Sequence, residues 1–597
     1  MRTTLKNNIQ LYKLYFKEEP LYCIIRIVTS ILGIVQPISS IYLFQVFLDA
    51  IFINQSIKRG IMIAVFSAII NLIVGILNWV VNSKLTPVSE QKNILYFTKE
   101  ILGIYLDTDV EIIENPEFYD KYTQVINDIS NRIMAVQNAV CSLIGNVCSL
   151  SVVIVLMLRV GPIMIAVSLF GVVANLVLSP IMNKLGYASY MEKTPLQRKQ
   201  DYIRRVFYIR DFIKELKIYN ISNTLIKENN KNAETLIDVT KKYGNKYIIY
   251  GIVASLVQCF SFAAVLIYLA YCTVFRSWSM GYVASMYNAS EELKNIIGQL
   301  FATLPLFDEN SRYISNYNML KKSNTSVIEK KLDSGNKNLI DEIETIETIE
   351  FRNVDFSYKN VDRKVLKDIN LKLDKGGKYA LVGYNGAGKS TFINLLLRLY
   401  TPQNGEIMLN GRKYEDYDVN ILRREYNVVF QDCQVYAISI AENILLRKVM
   451  KREDEENVWK ALEIVGLKSY VEQLPDGINS ILTKEFTEDG IMLSGGQLQK
   501  LLLARIFVNE AQVIVLDEVT SAMDAISENE IYRKIEKFAK DKTLIYISHK
   551  LSTTKGADKI YVFDNGTIAE QGTHEQLIKL DGIYSKMFLV QAEKYGI

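Results

Sequence analysis

Long apolar runs fill the first half of the chain, whereas the second half alternates short apolar stretches with polar turns. A helix that crosses a membrane needs about 20 consecutive, mostly apolar residues. The pattern therefore predicts six membrane-spanning helices in the first half. They are Leu21–Phe44, Gly60–Val81, Val136–Leu158, Pro162–Met182, Ile248–Phe275 and Ser279–Leu306.

The connections between the predicted spans alternate between short and long, and the long ones carry most of the charge. Many lysines and arginines lie between Lys193 and Lys217, in the link after the fourth span, and the N-terminal tail holds Arg2, Lys6 and Lys13. Basic residues are retained on the cytoplasmic side of membranes. The sequence thus predicts a multi-pass protein of the cell membrane, with both termini and the second half in the cytoplasm.

The composition changes near Lys322, where the chain becomes polar, and again near Ile346, where strand and helix patterns begin to alternate. Such alternation indicates an α/β domain with a largely parallel sheet. We therefore predict a transmembrane domain at 1–322 with long cytoplasmic helix extensions, a linker at 323–345 and an α/β domain at 346–597. The predicted fold class is a multi-domain membrane protein, with a six-helix all-α transmembrane domain ahead of the α/β domain.

Composition and charge exclude several classes of protein. The formal net charge is only +4 over 597 residues and forms no basic stripe, so nucleic acid is not a predicted partner. Two histidines, His549 and His574, are too few for a histidine-rich metal site, and no Cys-x-x-Cys pair is present. The scarcity of Pro and His beside abundant Ile, Asn, Lys and Tyr is typical of an AT-rich bacterial genome.

The segment KYALVGYNGAGKSTFINLLL has the form of an apolar strand, a glycine-rich turn and a helix at P-loop spacing. Backbone N–H groups of such a turn surround phosphate, Lys389 can reach the β- and γ-phosphates, and the Ser390 hydroxyl can ligate Mg²⁺. The second half is therefore predicted to be an α/β P-loop NTPase domain. The cofactor-binding residues predicted in this turn are Gly383, Asn385, Gly386, Gly388, Lys389, Ser390 and Thr391.

A second apolar strand, VIVLDE, ends in Asp517 and Glu518. At this distance after a P-loop, Asp517 is predicted to hold Mg²⁺ and Glu518 to activate the attacking water as a general base. Between the two motifs, Ser-Gly-Gly-Gln begins a predicted helix, and such helix N-termini bind anions through backbone N–H groups and the helix dipole. The sequence thus contains a second predicted phosphate contact besides the P-loop.

Taken as a set, these motifs resemble the nucleotide-binding domain of ATP-binding cassette (ABC) proteins. The resemblance covers the C-terminal half and rests, in order, on Gly383–Thr391, Gln431, LSGGQ at Leu493–Gln497, Asp517 with Glu518, SAMD at Ser521–Asp524, and His549. It implies that the protein is an ATPase whose cofactors are ATP and Mg²⁺. The implied catalytic residues are Glu518, His549 and Gln431, and the implied metal contacts are Ser390, Gln431 and Asp517.

The same resemblance implies that Tyr358, in VDFSYKN, stacks on adenine, and that the LSGGQ helix of one subunit caps ATP held by the P-loop of another. No catalytic position is degenerate, which favours a symmetric homodimer with two equivalent sites. The remaining implied nucleotide contacts are Tyr358, Ser494, Gly495, Gly496, Gln497 and Asp524.

Six predicted helices fused ahead of the cassette resemble the exporter class of this family, as a half-transporter embedded in the lipid bilayer. In that class short helices at the tips of the cytoplasmic links dock on the cassettes, and IENPEFYDKY and FYIRDFIKELKIYN lie at matching positions. An ATP-driven exporter that works by alternating access is therefore predicted. The rival class, a soluble-type cassette protein acting on ribosomes or DNA, does not account for six spans.

Details of the cassette bear on the cargo. Three features resemble exporters of lantibiotics and related ribosomal peptides. They are QDCQVYAISIAENI, Asn385 and the Gln-Leu-Gln-Lys that follows the two glycines of LSGGQ. That resemblance implies a ribosomally made, modified peptide as substrate, with its modifying enzymes or a separate leader protease as partners. The alternative is a multidrug or lipid exporter (flippase) of the same architecture.

The sixth predicted span contains Glu291, Glu292, Lys294 and Asn295. A charge at mid-membrane costs roughly 3 kcal/mol on insertion scales, so these side chains should face water, a cavity or one another. Two interpretations stay open. In one, Glu291, Glu292 and Asn295 line a transport cavity that favours a cationic peptide; in the other, the charges form an ion pair within the membrane or the boundary of the segment is misplaced.

Overall fold

The computed structural model describes residues 2–158, 162–209, 212–333, 340, 342–359, 363–518, 523, 525–547 and 553–594. The chain divides into two compact units, one formed by Met1–Thr108 with Asn115–Ser326 and the other by Asp109–Glu114 with Val327–Ile597. Among the described residues, every named β-strand lies in the second unit. The first unit is helical.

The helices before the first strand are long, and several begin at proline. Pro20, Pro116 and Pro162 each occupy the first position of a helix, where the missing N–H group is not needed. Two π-helical segments lie near the ends of the first two apolar runs, at Ile38–Leu43 and Val81–Leu85. The α-helices are α1 (Arg2–Glu18), α2 (Pro20–Leu32), α3 (Val35–Pro37), α4 (Phe44–Phe52), α5 (Ile57–Val80), α6 (Thr86–Asp107), α7 (Val110–Ile113), α8 (Pro116–Leu158), α9 (Pro162–Tyr208), α10 (Ile213–Ile218), α11 (Ile221–Arg276) and α12 (Met280–Asp333).

Apolar side chains cover the outside of the first unit. Trp79 on α5 is 70% exposed, and Phe260 and Ile267 on α11 are similarly exposed. Such apolar surface suits lipid, because a helix already satisfies its own backbone hydrogen bonds in the membrane. In the part of the chain that the structure describes, four segments are long and apolar enough to cross a membrane. They are Pro20–Phe52, Ile57–Asp107, Pro116–Leu158 and Ile221–Arg276.

The predicted helical membrane region is confirmed, whereas the predicted count of six spans is not. The fourth predicted span lies within α9, several of whose side chains fall outside the described residues. The sixth lies within α12, where Glu291, Glu292 and Lys294 lower the mean hydropathy. Helix α12 also continues to Asp333, inside the predicted linker, so the domain boundaries stay predictions.

A buried apolar cluster holds several helices of the first unit together. Val153 and Met157 of α8, Leu269 of α11, and Leu293 and Ile296 of α12 belong to it. These residues recur at spacings of three or four along each helix, which places them on one helix face. Polar residues of α12 outside this cluster are therefore free to face a cavity.

The second unit contains two sheets. A four-stranded sheet has the order β2-β1-β4-β5 with antiparallel pairs, and a six-stranded sheet has the order β10-β9-β3-β8-β7-β6. In the larger sheet only the β9–β10 pair is antiparallel. The strands are β1 (Thr348–Phe356), β2 (Leu366–Asp374), β3 (Lys378–Gly383), β4 (Asn404–Leu409), β5 (Arg412–Lys413), β6 (Tyr426–Val429), β7 (Val513–Asp517), β8 (Thr543–Ile547), β9 (Lys559–Asp564) and β10 (Thr567–Gly572).

The larger sheet is buried on both faces, as its nearly continuous apolar strands require. Leu381 and Val515 pack toward the antiparallel sheet together with Phe392. Val382 and Leu516 pack on the opposite face against helices. The helices of this unit are α13 (Lys389–Leu396), α14 (Val419–Arg424), α15 (Ile440–Leu445), α16 (Arg452–Ile464), α17 (Lys468–Glu472), α18 (Gly495–Ala504), α19 (Ala525–Phe538), α20 (His574–Lys579) and α21 (Ile583–Lys594).

Candidate functional site

The parallel strands bring most of the predicted ATP-site residues to one edge of the larger sheet. Strands β3, β8, β7 and β6 run in the same direction, so their carboxyl ends share an edge. Gly383 ends β3, Asp517 ends β7, and Gln431 follows β6. His549 follows β8 in the sequence but lies outside the described residues, as does Asp524.

The P-loop between β3 and α13 requires glycine at defined positions. Gly383 has φ +152°, and a Cβ atom there would lie 2.3 Å from the Phe563 carbonyl oxygen. Gly388 has φ +108° and precedes α13. The Lys389 ammonium donates hydrogen bonds to the carbonyl oxygens of Gly383 at 2.8 Å and Tyr384 at 3.1 Å. These hydrogen bonds hold the Lys389 ammonium over the P-loop, where it would contact a bound phosphate.

A buried lysine and a buried aspartate lie close together at this edge. Lys389 and Asp517 are each 6% exposed. Burial lowers the pKa of Lys389, and the charges of Glu518 and Asp517 oppose that shift. Burial, and then Glu518, raise the pKa of Asp517 to about 6, although Lys389 acts in the opposite direction. A further cation beside Asp517 would favour its ionised form.

The donor set fits Mg²⁺ rather than a protein-caged metal. Among the described residues, no three His, Cys, Asp or Glu side chains gather as metal ligands. Mg²⁺ commonly takes one or two carboxylates and completes its shell with water and substrate phosphates. Asp517 and the Ser390 hydroxyl could supply such contacts. Asp432 also raises the pKa of Asp517. The sequence analysis did not identify Asp432, and the one sequence signal for it was its position directly after Gln431.

Glu518 has a strained backbone. Its φ is +51°, in the left-handed region that non-glycine residues rarely occupy, and its N–H donates to the Ile547 carbonyl oxygen at 3.3 Å. Strain of this kind persists where the surrounding structure imposes it, often at functional sites. The conformation turns the chain sharply at the end of β7, immediately after Asp517.

Tyr358 lies beside the first helix after the P-loop. Its hydroxyl is 3.2 Å from the Thr391 hydroxyl. The rings of Phe356 and Tyr400 contact Tyr358 edge to face, with centroids 5.0 and 5.3 Å away. Sequence analysis did not identify Tyr400, because nothing local to it indicates an aromatic cluster. The two neighbours hold the ring in place next to the P-loop helix.

The LSGGQ segment at Leu493–Gln497, here called the signature segment, forms a capped helix N-terminus. The Ser494 hydroxyl accepts a hydrogen bond from the Gln497 N–H at 3.3 Å, and the Gln497 side chain accepts one from the Ser494 N–H at 2.9 Å. This capping box fixes the start of α18. Gly495 and Gly496 form the first turn without side chains, so an anion could approach the backbone there.

The short helix α7 belongs to the second unit, although it precedes α8 in the chain. Glu111 forms an ion pair with Lys359 at 3.0 Å, and the Tyr400 hydroxyl donates a hydrogen bond to the Glu114 carboxylate. Val110 packs against the apolar cluster of this unit. The predicted docking segment IENPEFYDKY begins at Ile113, the last residue of α7. Tyr400 thus contacts both Glu114, directly after α7, and Tyr358.

In the first unit, Glu291, Glu292, Lys294 and Asn295 line a cavity of about 750 Å³, here called the polar cavity. Lys294 pairs with Glu291 at 3.0 Å. Glu292 has no ion pair or hydrogen bond with the described residues. The arrangement therefore combines both sequence interpretations, an ion pair and a cavity lining, and the substrate role of these residues stays a prediction.

Comparison with known proteins places the chain in a family. The ABC transporter family profile matches residues 366–521. The subtilin transport ATP-binding protein SpaT of Bacillus subtilis is 31% identical over 489 residues, which cover 79% of this chain and 76% of that protein. The chain belongs to the ABC exporters. The predicted family, and an ATPase coupled to transport, are thereby confirmed.

Other proteins resemble the exporter over a shorter part of the chain or in their fold alone. An ATP-dependent lipid A-core flippase of Idiomarina loihiensis is 40% identical over 243 residues, 41% of each chain. The solved structure of a bacterial Atm1-family ABC exporter with ATP bound has a TM-score of 0.73 and 20% identity, and it covers 96% of this chain and 98% of that one. The fold of membrane helices followed by an α/β ABC ATPase is thus shared.

Proposed function

We propose that this ABC exporter moves a ribosomally made, modified peptide from the cytoplasm to the outside by alternating access of a homodimer. The observation that carries the proposal is the length of the similarity to the subtilin transport protein. Its 489 aligned residues exceed the region 346–597, so the similarity extends into the membrane helices. The flippase similarity of 243 residues does not exceed that region. Membrane helices bind the cargo, so the longer similarity is the more informative.

The geometry at the sheet edge supports roles for the predicted ATP-site residues that the structure describes there, whereas His549 and Asp524 lie outside the described residues. The P-loop N–H groups and Lys389 bind the β- and γ-phosphates, and Tyr358 stacks on adenine. Asp517, Ser390 and Gln431 hold Mg²⁺, which neutralises phosphate charge when bound. Glu518 orients and deprotonates the attacking water.

The second copy of the exporter completes each site. Ser494, Gly495 and Gly496 of one subunit contact the γ-phosphate held by the other, because a capped helix N-terminus without side chains favours an anion. Two equivalent sites then form across a two-fold axis. Six membrane spans per subunit, with the termini and ATPase domains in the cytoplasm, complete the proposed architecture.

The polar cavity supports a cationic cargo. Lys294 neutralises Glu291, which leaves the Glu292 carboxylate as the acidic group without an ion pair in the described part of the cavity. An unpaired carboxylate among polar walls favours a cation from the cargo. A Glu292→Gln exporter should therefore lose affinity for cationic peptide, and Glu291→Gln should also lower it, because that change leaves the Lys294 ammonium without its carboxylate partner.

The test is the ATPase rate of the exporter reconstituted in lipid, with and without a panel of cationic peptides that carry leader segments. Glu518→Gln should lower the rate by roughly 100-fold or more, because a general base contributes about that factor. Glu510→Gln, an exposed glutamate ahead of β7, is the matched control and should leave the rate unchanged. Peptide should change the wild-type rate.

The same measurement separates the alternative cargoes. A Glu518-dependent rate that responds to lipid or to hydrophobic drugs, and to no peptide, would replace the peptide proposal with a flippase or multidrug exporter. The flippase similarity makes lipid the first such compound to add. A rate that persists in Glu518→Gln would contradict the assignment of the general base.

A further inference from the structure

A second and larger cavity, of about 1220 Å³, lies between helices of the first unit. Residues of α8, α9, α11 and α12 line it. On α12 its lining begins at Phe301, next to Ala302 of the polar cavity, so the two cavities follow one another along this helix. We call it the tyrosine cavity after the four tyrosines in its lining, Tyr187, Tyr190, Tyr247 and Tyr313.

Tyr313 indicates that the tyrosine cavity receives a ligand. Its side chain is 5% exposed, and its hydroxyl has no hydrogen-bond partner among the described residues. A buried hydroxyl without a partner is costly and uncommon. The Tyr247 hydroxyl, by contrast, donates to the Met182 carbonyl oxygen at 3.2 Å. A polar group that enters the cavity would supply the partner that Tyr313 lacks.

Some of the charges that line this cavity are already paired. Arg132 forms an ion pair with Glu309 across α8 and α12. The Arg312 guanidinium lies over the Tyr187 ring, 5.6 Å from its centroid. In the latter contact the Tyr187 ring already accepts a cation from the protein itself.

Other charges lack partners. Asp128, Lys184 and Asp308 form no ion pair or hydrogen bond with the described residues. Two carboxylates and one ammonium, together with the exposed ring of Tyr190, suit a chain that carries both signs of charge. With six charged side chains in its lining, the cavity does not suit the acyl chains of a lipid.

We propose that the tyrosine cavity is a second cargo subsite, which binds a peptide segment of mixed charge while the polar cavity binds a cationic segment of the same chain. This inference rests on the proposed peptide export. Glu292 and Arg312 are separated by about 30 Å of helix. An extended peptide of about nine residues spans that distance. The exporter thus selects cargo long enough to occupy both cavities.

The experiment measures peptide affinity for the full-length exporter in lipid nanodiscs. The probe is the panel peptide that changes the ATPase rate most, labelled with a fluorophore, and a six-residue cationic fragment of the same peptide. Tyr313→Phe should weaken the full peptide roughly three- to tenfold, because one hydrogen bond is lost. The double substitution Asp128→Asn with Asp308→Asn should weaken it more than about tenfold.

Two controls separate binding from folding. Tyr317→Phe changes a buried tyrosine one turn further along α12 that does not line the cavity, and it should leave the affinity unchanged. The six-residue fragment is too short for both cavities, so its affinity should not respond to Tyr313→Phe. A merely structural role of Tyr313 would change the affinity of both peptides alike.

The outcomes distinguish this inference from the proposed function. If the wild type binds the full peptide and both sets of tyrosine-cavity variants bind it equally well, the subsite is overturned and peptide export stands. If Tyr313→Phe weakens the fragment as much as the full peptide, the subsite is also overturned. If no panel peptide binds the wild type, peptide export fails and the subsite fails with it.

Discussion

Two oppositely charged residues, Lys389 and Asp517, are buried together at the predicted ATP site. Lys389 and Asp517 are both nearly inaccessible, although ionised groups are seldom buried without partners. Each carries a pKa shift that burial causes, and each opposes the shift of the other. Perturbed pKa values of this kind concentrate at functional sites. Bound nucleotide and Mg²⁺ would replace the water that these groups have lost.

The raised pKa of Asp517, about 6, predicts a pH-dependent stability of the nucleotide-free exporter. The folded protein holds this proton more tightly than the unfolded chain, in which aspartate titrates near 3.9. The contribution to stability is therefore full below about pH 4 and is lost as the pH rises through about 6. Asp517→Asn should flatten this part of the profile. The measurement is the thermal unfolding midpoint across this pH range, without nucleotide or Mg²⁺.

Asp432→Asn is the control for this prediction. Its carboxylate raises the pKa of Asp517, so its removal should move the loss of stability to lower pH without abolishing it. Parallel profiles for wild type and Asp517→Asn would contradict the assigned titration.

At the scale of elements, three of the described helices of the second unit begin with the same serine or threonine capping box. Ser439 caps α15, Ser494 caps α18 and Thr573 caps α20. Each box satisfies two backbone N–H groups that the helix itself cannot. Local structure is therefore equivalent at the three starts. What differs is the sequence after the cap, because only α18 continues with two glycines.

The equivalence of these caps provides a matched test of the signature helix. Ser494→Ala and Thr573→Ala should each destabilise the exporter by about 1 kcal/mol, since each removes one N-cap hydrogen bond. Only Ser494→Ala should also lower the ATPase rate, by roughly tenfold or more, because a hydrogen bond to phosphate is lost. The measurements are the ATPase rate and the thermal unfolding midpoint of each variant. Equal rates would remove Ser494 from the nucleotide site.

At the scale of the whole molecule, each proposed ATP site draws residues from two copies of the chain. Lys389 and Ser494 then serve different sites within one dimer, although they belong to the same subunit. Two-fold symmetry makes the two sites equivalent. Loss of either residue from every subunit damages both sites.

This arrangement predicts that two inactive exporters complement one another. A dimer of one Lys389→Ala subunit and one Ser494→Ala subunit would keep one undamaged site and place both defects in the other. Random mixing should restore about a quarter of the wild-type ATPase rate, since about half of the dimers are mixed and each has one site of two. The control mixes the wild type with the double variant. No recovery in the mixed sample would argue against sites shared between copies.

Much of the fold could be predicted, and a candidate ATP site proposed, because the signals are local. Gly383 through Thr391 carry their own geometry, since glycine is required where the backbone is left-handed and crowded. The apolar runs that identified the membrane region are local signals as well. The number of spans could not be predicted from local sequence, because the charges in α12 are also typical of a loop. The structure shows that these charges line a cavity.

The sequence by itself determined the ABC fold class, the P-loop, the acidic strand end and the signature helix, since each depends on residues within a few turns of one another. Only the tertiary structure decided which side chains from distant segments meet. Asp432 acts on Asp517, Tyr400 contacts both Tyr358 and Glu114, and Asp128 shares a cavity with Tyr313. Those contacts depend on strand order and helix packing, which local sequence does not encode.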